Sequence, residues 1–372
     1  MKSTRRQTAR IRGWGLACLL AGVLAASAED YTYALNADDT LTLTGYAGPG
    51  GDVAIPSAIG SNTVSAIGDL AFFSSYHLTG ISIPDSITHI GGSAFALCGN
   101  LTNAVIGSNV IAIAADAFYS CTKLMSIAVA DANPAYSSVD GVLFDKSQQT
   151  LIRFPGGRTG RYAIPEGVSS IGPWAFNDCN HLTFIQFPDS VTTIGDSAFS
   201  CCVSLNSVTL GSGVTQIGRE AFGFCTRLVT MKITGNSLDS IGEGMFQNCW
   251  DLQGVYFTGH APSPEWNSDT FASAYPTVFH LPDTTGWGET FAGRPTALWQ
   301  LPIDMPAVQD GGFEFRITGP DSEESVLEVC TNLAEGAWTP LETNTLLNGF
   351  AMFSDPDWTN RATRYFRIST RL

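Results

Sequence analysis

Leu182-Thr183-Phe184-Ile185-Gln186-Phe187-Pro188-Asp189-Ser190-Val191-Thr192-Thr193-Ile194-Gly195-Asp196-Ser197-Ala198-Phe199-Ser200-Cys201-Cys202 is one instance of a phrase that recurs about every 23 residues between Ile67 and Leu252. Its phenylalanine returns at Phe72, Phe95, Phe118, Phe176, Phe199, Phe222 and Phe246, with spacings of 23, 23, 58, 23, 23 and 24. Ile-Gly pairs begin at Ile67, Ile90, Ile171, Ile194, Ile217 and Ile241, with Ile113-Ala114 as a variant. A cysteine follows in the same register at Cys98, Cys121, Cys179, Cys202, Cys225 and Cys249, and Ser75 fills that place in the first unit. A fixed period of this length marks a solenoid, whose units bury their apolar faces only against their neighbours. Such a fold has a broad outer surface and little reason for a deep pocket, so the chain reads as a binding protein before an enzyme.

Counted from each cysteine, leucine recurs three residues on and apolar residues recur six and eight on. After Cys179 these are Leu182, Ile185 and Phe187; after Cys202, Leu205, Val208 and Leu210; after Cys225, Leu228, Met231 and Ile233. The step of two marks a short strand with one buried face. A turn follows, written Pro84-Asp85-Ser86, Pro188-Asp189-Ser190 or Gly211-Ser212-Gly213. A second brief extended segment ends at Ile-Gly, and a polar bend returns to Ala-Phe. The expected fold is mainly β, a solenoid whose stacked strands run parallel and whose phenylalanines and cysteines form a core ladder.

At these residues the chain resembles the BspA-like, or Treponema pallidum-type, leucine-rich repeats of bacterial surface proteins. Their pattern L-x-x-I-x-I-P-x-S-V-T-x-I-G-x-x-A-F-x-x-C is met almost verbatim in Leu182 to Cys202, and the resemblance covers about 190 residues in seven coils. It implies a leucine-rich-repeat solenoid. The motif consists of core and turn residues and contains no catalytic ones; adhesion to host proteins or other cells is what the relatives suggest.

Residues 1–28 read as an export signal: a basic start with Lys2, Arg5, Arg6, Arg10 and Arg12, an apolar run from Gly15 to Ala26, and small residues before Glu29. Residues 29–66 alternate apolar and polar side chains and read as an N-terminal cap, with repeats over 67–260. The gap between Cys121 and Cys179 holds an irregular repeat at 130–165, in which Val139-Asp140-Gly141-Val142 suggests a hairpin bend. Residues 261–300 read as a terminal repeat and cap. Pro302 and Pro306 mark 301–311 as a linker, and the alternating strands of 312–372 make a small C-terminal β-sandwich module. No stretch after the signal approaches the roughly 18 apolar residues of a membrane span. The mature chain is thus expected to be secreted or held at the cell surface.

The 372-residue chain carries 19 basic and 34 acidic side chains; without the signal 14 basic residues remain, a balance of −20. That argues against nucleic acid and anionic membrane as partners. Exported proteins usually pair their cysteines, yet six of the cysteines here recur once per coil and would point the same way at a rise of about 4.8 Å. A disulfide needs its Cβ atoms aimed at each other, so these thiols read as small buried groups. Cys201 and Cys330 lie off the register.

No Gly-x-Ser-x-Gly elbow or His-Glu-x-x-His pair is present. His77 and His181 sit where other coils carry Asn100, Lys123, Ser204, Arg227 and Asp251, which marks an exposed corner. The acidic clusters Asp38-Asp39, Asp321 to Glu324 and Asp355-Pro356-Asp357 lack the spacing of an EF-hand. No catalytic residue, metal site or cofactor is expected. Recognition is left to the outward strand positions, five and seven residues after each cysteine. Phe184 and Tyr256 are the large aromatics there, with Gln186, Thr209 and Lys232 as further candidate partner-binding residues. The expected function is an exported, non-enzymatic repeat protein that binds a protein or glycan macromolecule, as an adhesin or interaction scaffold. In the alternative, the solenoid is a spacer whose C-terminal module binds glycan or the cell envelope.

Overall fold

A computed structural model of the chain describes residues 24–25, 28–235, 238–262, 268–281, 284–299, 303–309, 312–318, 324–330, 338–347, 350–355 and 365–370. The export signal lies outside the described residues except for 24–25 and 28, as do 321–323 and 356–357 of the acidic clusters. Residues 51–298 form a β-solenoid. Its longer strands stack in one-to-one parallel register, as in Ser207–Leu210 on Thr230–Ile233, Gly254–Phe257 and Thr277–His280. Two-residue strands such as Thr193–Ile194, Gln216–Ile217 and Ser240–Ile241 stack on a second side. In Ser207–Leu210 the period of two sends Val208 and Leu210 inward and Thr209 outward.

Each corner is made by residues in the left-handed region, for instance Ser197 at φ 52° and Cys201 at φ 62°, or Glu220 at 50° and Phe224 at 59°. Between them Ala-Phe enters the core, where the ladder phenylalanines Phe72 to Phe246 are at most 2% exposed. Their rings stack from coil to coil at 4.7–6.3 Å, within the usual range for offset aromatic pairs. The N–H of Phe199 donates to Ala221 O of the next coil at 2.7 Å. The carbonyl of Phe199 accepts from the Cys225 thiol at 3.1 Å, and Cys98, Cys121, Cys202 and Cys249 likewise donate to Phe72, Phe95, Phe176 and Phe222 at 3.1 Å. The cysteines are therefore more than small apolar fillers, because five of the six add a second, inter-coil donor to a buried carbonyl that already accepts a backbone N–H of its own coil, as Phe199 O does from Cys202 N at 3.2 Å. All six ladder cysteines are buried and none is in a disulfide.

The ladder also has members that the 23-residue spacing did not reveal. Phe154 stacks on Phe176 at 5.0 Å and Phe271 on Phe246 at 5.4 Å. Phe154 belongs to the irregular segment, where Tyr136–Val139 and Val142–Asp145 form an antiparallel hairpin. Its bend holds Asp140 and Gly141, both at positive φ. The hairpin divides the core. Leu143 packs with the N-terminal cluster, while Val142 and Phe144 pack with the C-terminal one. Arg153 replaces the usual alanine before the ladder phenylalanine and is 2% exposed. Its guanidinium donates to Trp174 O at 2.5 Å and Asn177 O at 3.2 Å, carbonyls of the following coil.

Stacked strands extend beyond 67–260 on both sides. Gly51–Ala54 lies parallel to Leu78–Ser82, and the antiparallel pair Tyr31–Leu35 and Leu41–Tyr46 closes that end, with the Tyr31 and Tyr46 rings on Phe72. At the other end Thr277–His280 and Arg294–Leu298 continue the longer sheet. The reading of 301–311 as a linker is corrected: Ile303–Gln309 is a strand paired antiparallel with Gly312–Thr318. Its register shifts between Asp304 and Ala307, so Pro306, which has no N–H to give, falls at an irregularity in the ladder. Two three-stranded antiparallel sheets follow, with Ile317, Leu327, Ala351 and Phe353 buried.

Two measurements check this packing. Arg153→Ala takes the guanidinium donors away from the carbonyls of Trp174 and Asn177 and leaves a void, so its urea midpoint is expected to fall by the equivalent of about 3 kcal/mol; an unchanged midpoint would show that water replaces the guanidinium at no cost. Burial pushes the Cys98 thiol up from the ordinary 9.0 to about 11 and that of Cys121 to about 12. Burial also raises the Tyr46 and Tyr162 phenols from 10.0 to about 12. A raised native value means that the unfolded chain loses its protons first. The stability is therefore complete below pH 9 and is lost as pH rises through the native values. Urea midpoints should be level near neutrality and decline steadily above pH 9.

Candidate functional site

The outer face of the longer C-terminal sheet carries two rows of side chains, set by the parallel register. One runs Ala163, Gln186, Thr209, Lys232, Tyr256, Phe279, each residue opposite the next. The other pairs Arg161 with Phe184, then continues through Ser207, Thr230, Gly254 and Thr277. β-branched and hydroxyl residues suit this half-solvated surface.

Three of the five candidate residues come together. Phe184, Gln186 and Thr209 line an open trough of about 830 Å³ that reaches Ser212 and Thr258 on the turn side. Gln186 and Thr209 are exposed, and Phe184 is half-buried because the Arg161 guanidinium lies 4.0 Å over its ring centroid. Arg161 was missed by sequence reasoning, although its place 23 residues before Phe184 put it in the same row.

The other two candidates are corrected. Lys232 is only 9% exposed, and its ammonium sits 5.1 Å from the Trp299 ring. Tyr256 is half-buried, stacked at 4.8 Å on Phe279 and covered by Trp299 at 5.2 Å. The physical cause is local and long-range at once. Gly254 has no side chain, and a Cβ there would lie 2.5 Å from the Tyr256 ring, so the tyrosine folds down across the strand. Trp299, 5% exposed at the end of Arg294–Leu298, then closes over the row. The open face therefore ends near Thr209, and the terminal coils plug the remainder. His77 and His181 are exposed, as expected of corner residues. Among the described residues no group of three or more His, Cys, Asp or Glu could hold a metal ion, and no helix is long and apolar enough to cross a membrane.

The BspA type leucine rich repeat region family matches in six copies, over residues 52–160 and 154–274. The chain belongs to that family. Leucine-rich repeat proteins generally bind proteins, and the repeat family and its β-solenoid are typically non-enzymatic. No curated protein matches the chain significantly. Solved structures that resemble it include a leucine rich cell surface protein from Faecalibacterium prausnitzii, 22% identical over 69% of this chain and 94% of that one, at a TM-score of 0.42. A leucine-rich repeat protein from Eubacterium ventriosum is 21% identical over 68% and 83%, at 0.45. The pneumococcal vaccine antigen PcpA is 16% identical over 73% and 97%, at 0.42.

If Trp299 seals the row, Lys232 of the native chain should resist acylation by an amine reagent while Lys123, on an exposed corner, is modified quickly. Trp299→Ala should bring Lys232 to within a few-fold of the Lys123 rate, read by peptide mass spectrometry. Equal protection in both proteins would mean that the cover lies elsewhere.

Proposed function

We propose that this leucine-rich repeat protein is exported under the direction of residues 1–28. It then binds a protein ligand on the open part of its C-terminal sheet face, as a cell-surface adhesin or interaction scaffold. The observation that carries this reading is the trough over Phe184, Gln186 and Thr209. An aromatic ring there is held at the surface and flanked by small hydroxyl side chains, where an extended partner segment can lie without clashing. Half-buried aromatics of this kind serve as binding anchors, because their area is fixed at low entropic cost. We place the binding unit in residues 29–300, with 312–372 as an accessory module.

The test is a pull-down of proteins from bacterial and host cell surfaces, comparing residues 29–372 with the double variant Phe184→Ala, Thr209→Arg. Ligand retention should drop at least about tenfold, the loss of one central anchor being worth roughly 2 kcal/mol. Retention undiminished in the variant but reproduced by residues 301–372 alone would replace this reading with that of a spacer carrying a glycan- or envelope-binding module.

A further inference from the structure

The outward positions of the C-terminal sheet have a charge pattern opposite to that of the chain. The mature balance is 14 basic against 34 acidic side chains. Yet Arg161, Ala163, Phe184, Gln186, Ser207, Thr209, Thr230, Lys232, Gly254, Tyr256, Thr277 and Phe279 include two cations and no carboxylate. Lys232 is closed off by Trp299, which leaves Arg161 as the exposed cation of the open face. Among the described residues the ion pair formed is Arg219 with Glu243, at a corner, so no described carboxylate is paired with Arg161. Its guanidinium carbon lies 4.0 Å over the Phe184 ring while the side chain stays exposed, a contact that reduces the rotamer entropy lost on pairing. One acid does reach the trough: Asp189, on the turn at its rim. That carboxylate accepts from Ser212 N at 2.9 Å and Ser212 Oγ at 3.0 Å, and it stands five residues along the chain from Phe184, the partner of Arg161.

We propose that the trough selects an extended peptide segment carrying an acidic residue beside an apolar one, the carboxylate taken in a forked pair by Arg161 and the apolar side chain set against Phe184. This rests on the binding face proposed above and names the chemistry of its partner. The field of a −20 chain opposes an acidic ligand at long range, but it is screened beyond about 8 Å at physiological salt. At contact the fixed guanidinium is the nearest charge. A charge-assisted forked pair on a half-exposed rim changes affinity by about fivefold.

A randomised dodecapeptide library panned on the full chain tests both layers. Enriched peptides should carry Asp or Glu next to Leu, Ile, Val or Phe, and their binding should be lost in Phe184→Ala. Arg161→Gln should weaken them about fivefold and erase the preference for Glu over Gln at the acidic position, whereas Arg227→Gln, at an exposed corner, should leave both unchanged. Arg161 is exposed, so its replacement leaves the core intact, and circular dichroism checks that. Peptides that need Phe184 but bind alike with Glu or Gln, with or without Arg161, would overturn the acidic-partner inference and leave the binding face standing. Peptides indifferent to both residues, or no enrichment at all, would count against the face itself.

Discussion

Neighbouring coils of this chain are tied by a bond that fixes their relative position to a fraction of a residue. The buried carbonyl of a ladder phenylalanine accepts a backbone N–H of its own coil, and the cysteine of the following coil donates to its second lone pair at 3.1 Å in five of the six cases. The exception, Cys179, stands 4.0 Å from Phe154 O, at the irregular coil. A slip by one residue would turn the buried strand positions, such as Val208 and Leu210, to the outer face, and it would break the thiol bond that joins each coil to the carbonyl before it. The coil rise of about 4.8 Å also falls within the preferred spacing of stacked aromatic rings. Backbone pairing, thiol donation and ring stacking therefore all select one period. Isolated coils have no core, so the stability of each is borrowed from its neighbours.

The irregular segment shows what happens where that period is broken. With the usual alanine corner missing, the buried Arg153 reaches two carbonyls of the coil that begins at Ile171. One is Asn177 O, whose counterpart Ser200 O takes a backbone N–H from Asp178 of the preceding coil; the other is Trp174 O, which also accepts Asn177 N–H at 3.0 Å. Burying a guanidinium without a carboxylate is costly, and it persists here because several hydrogen-bonding needs converge at one point. The strand Val142–Asp145 meanwhile faces both core clusters, through Leu143 on one side and Val142 with Phe144 on the other. The flanking strands do the same, with Val139 and Leu151 toward the C-terminal cluster and Tyr136 and Ile152 toward the N-terminal one, so the solenoid is continuous in chain and interrupted in core.

The regular coils were legible because their period is local and repeated: Phe199, Cys202, Leu205, Val208 and Leu210 can be assigned from spacing alone. Phe154 and Phe271 escaped because the residues around them change, Arg153 and Thr270 standing where alanine usually does. The strand 303–309 escaped because Pro302 and Pro306 resemble linker punctuation, whereas an irregular edge of a sheet tolerates proline. On the candidate face, alternation set Phe184, Gln186 and Thr209 outward, and Gln186 and Thr209 are exposed there with Phe184 half-buried. It could not show that Lys232 and Tyr256 are covered, since their cover is Trp299, more than 40 residues on in the chain and outside the repeat. A strand pattern tells which way a side chain points. What lies on top of it is decided by segments that share no period with it.

The distribution of charge follows from the same geometry. A carboxylate at a turn finds a backbone N–H of the coil 23 residues on: Asp69 takes Gly92 N at 2.6 Å, Asp85 takes Ser108 N at 2.6 Å and Asp196 takes Arg219 N at 2.8 Å. The Ser108 N–H holds the Asp85 carboxyl below its ordinary value, so the turn prefers the charged acid. Successive acids in one turn row would face each other at coil spacing and repel. The row after Ile-Gly accordingly reads Asp69, Gly92, Ala115, Pro173, Asp196, Arg219 and Glu243, with no two carboxylates in succession and Arg219 bonded to Glu243 at 2.8 Å. On the strand face the backbone N–H groups are already consumed by the parallel ladder, and an acid there would gain no such donor while keeping the repulsion. The N-terminal sheet does carry an exposed acid, Asp52, which takes its donor from the Thr79 hydroxyl at 2.7 Å. On the C-terminal sheet the carboxylates stay at the turns. The sheet between them is left to hydroxyls, aromatics and the one exposed arginine, and that exclusion gives an acidic protein a face on which it can receive an acid.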